Sequence, residues 1–267
     1  DALVTRNLLY LGIKNAIDPL RFAVELEDSR RFLSDRADNP NIEDELEILQ
    51  AYVQLHFDGV IGDAPLSLCF GRMAFDWADR RLISRNRNRN TISAFDGLRL
   101  RLGDESSALE IDAIAVRPVN RNVEDLDESS DNATLYGIAG YWRGWSPHVV
   151  LEPYWLYTFG LHAFGQWGER SAWDYDFSLA GQWGETQGND HRAWAAHAES
   201  GYTWNTAWKP RLGLWFNYAS GDHNATDGSN ERFDPLYGAT YAFYGYSSYF
   251  SWQNMINPAL RLSFQPM

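Results

Sequence analysis

Apolar residues in this chain recur at every second position over run after run, and that period of two most constrains what it can fold into. Along residues 21–27, Phe22, Val24 and Leu26 oppose Arg21, Glu25 and Glu27. Along 47–57, Leu49, Ala51, Val53, Leu55 and Phe57 oppose Gln50, Tyr52, Gln54 and His56. In 94–102, Leu98, Leu100 and Leu102 face away from Gly97, Arg99 and Arg101. Residues 173–183 set Trp173, Tyr175, Phe177, Leu179 and Trp183 against Asp174, Asp176, Ser178 and Gln182. The pattern returns at 211–219 (Leu212, Leu214, Phe216, Tyr218) and at Leu260, Leu262 and Phe264. Such alternation specifies half-buried strands, about fourteen of them at roughly ten residues each. Residues 41–49 also fit a short helix, but the alternation that follows overrides it.

Between the runs lie polar connectors rich in Gly, Asn, Asp and Ser, at 34–44, 103–107, 120–132, 186–190 and 220–234. Long and short connectors roughly alternate, as in barrels with long loops at one rim and tight turns at the other. A mean hydropathy of −0.44 excludes a bundle of membrane helices, and the longest uncharged stretch, 240–260, is interrupted by Gly245, Gln253, Asn254 and Pro258. Transmembrane β-strands escape that test, because their two faces average to polar. The start of the chain lacks the basic, apolar and cleavage segments of a signal peptide, so it reads either as mature or as never having had one. One cysteine excludes a disulfide framework and a Cys-based zinc site, and a net charge of −13 argues against nucleic acid as a partner.

A soluble sandwich that binds glycans through Trp and Tyr would alternate too. Its polar face meets bulk water and carries many Lys and Glu; here that face holds Gln, Ser, Gly, Arg, Asp and Tyr, as suits a lumen. Aromatics gather near expected strand ends: Tyr141, Trp142 and Trp145; Tyr154, Trp155, Tyr157 and Phe159; Trp204 and Trp208; Tyr241, Phe243, Tyr244 and Tyr246. Girdles at the headgroup level have that composition. The expectation is one all-β domain over residues 1–267, a transmembrane antiparallel up-and-down β-barrel.

Two ordered blocks carry a resemblance. The first is Leu66-Ser67-Leu68-Cys69-Phe70-Gly71-Arg72-Met73, then Asp79-Arg80-Arg81-Leu82-Ile83, then Phe95-Asp96-Gly97-Leu98-Arg99-Leu100. The second is Trp208-Lys209-Pro210-Arg211-Leu212-Gly213, Tyr218-Ala219-Ser220-Gly221-Asp222 and Phe233-Asp234-Pro235-Leu236-Tyr237. Glu27-Asp28-Ser29-Arg30 and Gln50-Ala51-Tyr52-Val53 fit as early strands. Together they resemble the alginate-export family of Gram-negative outer-membrane porins. The resemblance implies an integral outer-membrane barrel, 18-stranded in the family's exporter, of which this chain is either an incomplete copy or a smaller relative, passing anionic polysaccharide or other hydrophilic solutes passively. It also implies lipid and lipopolysaccharide around the barrel and a periplasmic scaffold as a possible partner. The chain departs from the family at Met73, where a Gln is usual, and at Gln50 and Ala74, where the exporter carries arginine.

Of 23 basic residues only Lys14 and Lys209 are lysine, and eight arginines against three aspartates fall within 72–101. An arginine fork binds carboxylates bidentately and stays charged, which suits selecting uronates. The pore candidates are Arg72, Arg80, Arg81, Arg99, Arg101, Arg211 and Arg261. Arg99 and Arg101 belong to the lumen face by parity, since an arginine toward mid-membrane lipid costs roughly 2–4 kcal/mol. Arg72 shares the Phe70 face, which predicts a bulge or a strand end there. Arg85, Arg87 and Arg89 form a polar loop, either folded into the lumen or outside. The competing reading pairs the arginines with Glu25, Glu27, Glu110 and Asp112 as wall braces. Loop carboxylates Asp125, Asp127, Asp131, Asp222 and Asp227 are weak candidates for a structural calcium ion, and no other cofactor is implied. No nucleophile motif accompanies the six histidines, so a channel rather than an enzyme is expected. A general small-solute uptake porin is the alternative within the same class.

Overall fold

The computed structural model describes residues 3–265 apart from 15, 132, 147–148, 156–157, 169–171, 187, 225 and 246–249. The chain divides into two compact units, Asp1–Ile138 with Tyr237–Tyr249, and Ala139–Leu236 with Phe250–Met267. In the first, β1 (Leu3–Ile13), β2 (Leu20–Phe32), β3 (Asp44–Ile61), β4 (Ala64–Met73), β5 (Phe95–Leu102) and β6 (Leu109–Asn120) are hydrogen-bonded in chain order. The two-residue β7 (Glu128–Ser129) pairs off the path with β6, and β8 (Leu135–Trp142) is next in the order. In the second unit the order continues from β8 through β9 (Val149–Trp155), β10 (Thr158–Trp167), β11 (Trp173–Thr186), β12 (Asn189–Thr203) and β13 (Arg211–Ala219). After β14 (Ser229–Asn230), two residues parallel to β12, β15 (Met255–Ser263) completes the order beside β13. A helix of five residues, α1 (Thr240–Tyr244), belongs to the first unit. Among the described residues thirteen strands thus follow one another as an up-and-down meander, with no crossover to a second layer; a sandwich is not the architecture.

Side chains divide as the period of two requires. Leu98 and Leu100 are exposed on the apolar face of β5, as are Leu214 and Phe216 on β13, while Asp112, Ser178 and Asn217 are buried on the polar face. Tryptophans mark both ends of β11: Trp173 packs on Trp167 and Tyr202, and Trp183 on Phe159 and Trp194. Ten residues separate them, roughly 33 Å of strand at 3.3 Å per residue. A tilt near 40° projects that length onto about 25 Å, the height of an outer-membrane apolar band.

Three sequence expectations are corrected and one pair of alternatives is narrowed. Leu49 is buried on the polar face with Ala74, Ile92 and Ala94, because a register shift in the β2–β3 ladder between Glu25 and Leu26 inserts it as an extra residue and re-aims it. Of the bulge or strand end expected at Arg72, the structure has the strand end: both ladders of β4 run through it in register, and it lies one residue from the end of the strand. Tyr241, Phe243 and Tyr244 sit in α1, inside a connector, and mark no strand end. Connector lengths alternate in the first unit, but in the second β11 and β12 are separated by only two residues on the side where long ones were expected. Tyr157 and Tyr246 lie outside the described residues.

The largest apolar core in the first unit is made by the connector of residues 74–94, between β4 and β5. Trp77, Leu82 and Ile83 are essentially inaccessible there, and Trp77 and Tyr237 each bridge to Ile83. At its far end the connector packs Ile92 and Ala94 against Leu49 of β3. In the second unit Phe233 and Trp252 meet edge to face and are equally buried.

Candidate functional site

The polar face of β5 and β6 presents a ladder of paired charges. Arg99 Nε and Nη2 donate to Asp112 at 3.0 and 2.6 Å, and Arg101 Nε and Nη2 donate to Glu110 at 3.2 and 2.5 Å. The pairing is diagonal, because the residue opposite Arg101 is Asp112 and that opposite Arg99 is Ile114. Alternation places all four side chains on one face, and the antiparallel register makes two salt bridges of them. Both carboxylates are nearly inaccessible, whereas the side chain of Arg101 remains 37 % exposed.

Arg72 forms a comparable fork on Asp96, 2.9 and 3.1 Å, and also donates to the Asp127 carbonyl. The Phe-Asp-Gly run has a physical basis here: Phe95 is core, Asp96 holds Arg72, and Gly97 lies opposite Gly71. At Gly71 φ is +129° and a Cβ would collide with the Ala51 carbonyl, so only glycine fits. Arg80 and Arg81 belong to the packed connector, where Arg81 pairs with Asp79 at 3.5 Å and lies 4.1 Å over Phe243. Burial, opposed by Arg81, pushes the Tyr244 hydroxyl above its usual range.

The connector is tied down mainly at residues 90–93. Ile92 N–H donates to both oxygens of Glu27 at 3.2 Å, Ser29 Oγ donates to the Asn90 carbonyl, and Asn90 Nδ2 reaches the Thr5 and Ile42 carbonyls. Arg121 donates to the carbonyls of Ile92 and Pro40 and to the hydroxyls of Thr91 and Ser93. Burial and the nearby Arg89 pull its pKa below the usual arginine range, against Glu27, Asp44 and Asp127. Arg121 was not legible as a functional residue, since nothing in a polar connector distinguishes a hub from a solvated arginine. Gln50 and Ala74, the two positions where the family exporter carries arginine, touch each other: Ala74 N–H donates to Gln50 Oε1 at 2.9 Å.

In the second unit Arg211 on β13 bonds both oxygens of Asp174 and one of Glu199, and Arg261 on β15 stacks 4.5 Å over Trp215 and lies 3.9 Å from Glu199. A row of polar-face side chains crosses the neighbouring strands: Glu152, His162, Asp176, His197 and Asn217. Asp174, Asp176 and Glu199, with Arg143 and Gln166, line a cavity of about 620 Å³. The second sequence block anchors the connector of this unit, since Asp234 exchanges two hydrogen bonds with Gln182 while Ser220 binds Trp194 N–H and the Glu231 carbonyl.

The loop carboxylates are held by their own turns. Asp127 accepts from Asn122 N–H, Asp125 from the Asn122 side chain, and Asp227 from Ser229; Asp131 lies 3.8 Å from Arg117. Bonds from Ser229 hold the Asp227 carboxyl below its ordinary range. Among the described residues no three His, Cys, Asp or Glu side chains converge as metal ligands.

The family described as alginate export matches the chain over residues 1–158 and 155–267. Among solved structures, the chain is similar to Pseudomonas aeruginosa OccK3 (OpdO), at 12 % identity and a TM-score of 0.56, covering 83 % of this chain and 63 % of that one. It is also similar to OccK11 (OpdR) of the same organism, at 15 % identity and a TM-score of 0.58, covering 91 % and 66 %. Both are outer-membrane porins, and the chain spans about two thirds of their length. No curated protein matches it significantly.

Proposed function

The chain belongs to the alginate-export family and is an integral outer-membrane β-barrel of the porin type, and we propose that it conducts anionic, alginate-like polysaccharide outward along the paired-charge wall of β5 and β6. The observation that supports this reading is the fork-on-fork contact of Arg99 with Asp112, beside Arg101, whose Nε and Nη2 converge on one oxygen of Glu110, on the polar face. A guanidinium has more donors than one carboxylate can use. A passing uronate can share or displace the wall acid, and the acid then closes back as the solute moves on. Binding is favourable enough to draw the chain in and brief enough to release it. The apolar face and its tryptophan girdles lie against lipid and lipopolysaccharide.

A second reading, passage of small hydrophilic solutes without polysaccharide, is favoured by the same pairing, since each arginine of the ladder is offset by a wall carboxylate. Gln50 and Ala74 also remove two family cations, so alginate itself need not be the substrate. Reversal potentials of the full-length protein in planar bilayers under a KCl gradient test the arginines. Replacing Arg99 and Arg101 together by Glu lowers the anion preference; an unchanged reversal potential removes them from the selectivity site.

A further inference from the structure

A side chain outside the charge ladder, Phe75, touches it directly. Phe75 lies two residues beyond β4, at the start of the packed connector, and is buried. Its ring centroid is 4.5 Å from Arg99 Cζ. The ring also packs on Phe95 at 5.2 Å, and Phe95 meets Tyr237 edge to face at 5.9 Å. Tyr237 is in turn bonded through its backbone to Leu82 and Ser84 of the connector. One residue before Phe75, the Ala74 N–H is held by Gln50. The ring is thus fixed from several sides before it meets the guanidinium.

We infer that Phe75 is a positioning residue for ion selectivity, its ring holding the Arg99 guanidinium in the orientation that a passing carboxylate meets; this rests on the channel reading given above. A carboxylate binds a guanidinium in its plane. Asp112 occupies the edge formed by Nε and Nη2, so a second carboxylate approaches along the Nη1 edge. In-plane bonds to Asp112 still allow the plane to roll about the axis of the pair. The Phe75 ring, with the guanidinium over it, restrains that roll through quadrupole attraction that aliphatic side chains lack. The consequence is a coupling between the connector and the selectivity of the wall: whatever moves residues 74–94 re-aims Arg99.

The test is a double-mutant cycle read by reversal potential on the full-length protein, comparing Phe75→Leu, Phe75→Met, Phe75→Tyr, Arg99→Gln and the combination of Phe75→Leu with Arg99→Gln. Loss of the ring, by Leu or by the bulkier Met, lowers the anion-to-cation permeability ratio about twofold, and Tyr preserves it. In the Arg99→Gln background Phe75→Leu has no further effect. Two results overturn the inference while leaving the channel reading intact: an unchanged ratio in both Leu and Met variants, or the same shift with and without Arg99. An unchanged ratio in Arg99→Gln alone overturns the selectivity reading and this inference with it. Heat-modifiable gel mobility verifies that each variant is folded, and Met replaces Leu in the cycle if the smaller side chain fails that check.

Discussion

Arg99 shows how much one residue's role depends on what parity cannot convey. Alternation alone places Arg99 and Arg101 on the polar face of β5, opposite Leu98 and Leu100, and the structure has them there. Their partners were legible only as a set of nearby acids; the strand register selects Asp112 and Glu110, whereas Glu25 pairs with Gln50 and Glu27 holds the connector. Phe75 was invisible as a positioning residue, because its contact with Arg99 comes from the connector's path and not from any local pattern. The pairing makes a signed prediction. Asp112→Asn keeps the shape and one acceptor but removes the charge that masks Arg99, so anion preference rises, opposite in sign to the Arg-to-Glu change. A bilayer reversal potential that stays put or moves toward cations contradicts the masking. Asp127 gives a second prediction at this scale. Burial pushes its carboxyl up, against a bond from Asn122 N–H, so ionisation costs more in the folded chain than in the unfolded one. That contribution is harmless below pH ~4, the ordinary Asp range, and erodes stability as pH rises through the elevated folded value. Asp127→Asn therefore flattens the pH dependence of unfolding above pH ~4, as thermal melts at several pH values will show.

Among the elements, the strands were the most legible and the connectors the least. A strand announces itself by a period of two that each residue obeys independently, so a lapse such as the Leu49 bulge corrects one side chain and leaves the ladder readable. A connector has no period, and residues 74–94 looked alike whether inside or outside. What decides its position is a set of long-range bonds to Glu27, Ser29 and Arg121 that no local rule foresees. The same holds for α1, whose Phe243 read as part of a girdle but packs against Arg81. Arg121 is the strongest anchor, with four acceptors on the connector and on Pro40. Removing it takes a donor from the buried Ile92 carbonyl and Thr91 hydroxyl, at about 1–3 kcal/mol for each group left unsatisfied. Arg121→Ala accordingly loosens residues 90–93 while the strands persist. Single-channel recordings are expected to show larger conductance with added gating noise, and a quiet trace at wild-type conductance contradicts this anchoring.

For the whole molecule, an average hydropathy of −0.44 and a net charge of −13 describe neither face. The apolar face carries leucines and tryptophans toward lipid, and the polar face carries arginines whose charge is matched by wall carboxylates. In the proposed reading, passage of an anionic polymer along such a wall would depend on exchange of partners rather than on surplus positive charge. The measurement that reaches this claim most directly is block of single-channel current in the full-length protein by a polyuronate, compared with a neutral glucan of equal length. The account predicts that the polyuronate interrupts current in brief events that Arg99→Glu with Arg101→Glu abolishes, while the glucan does so rarely in either protein. Equal block by both polymers, or block unaffected by the double substitution, would contradict it and leave a general porin in its place.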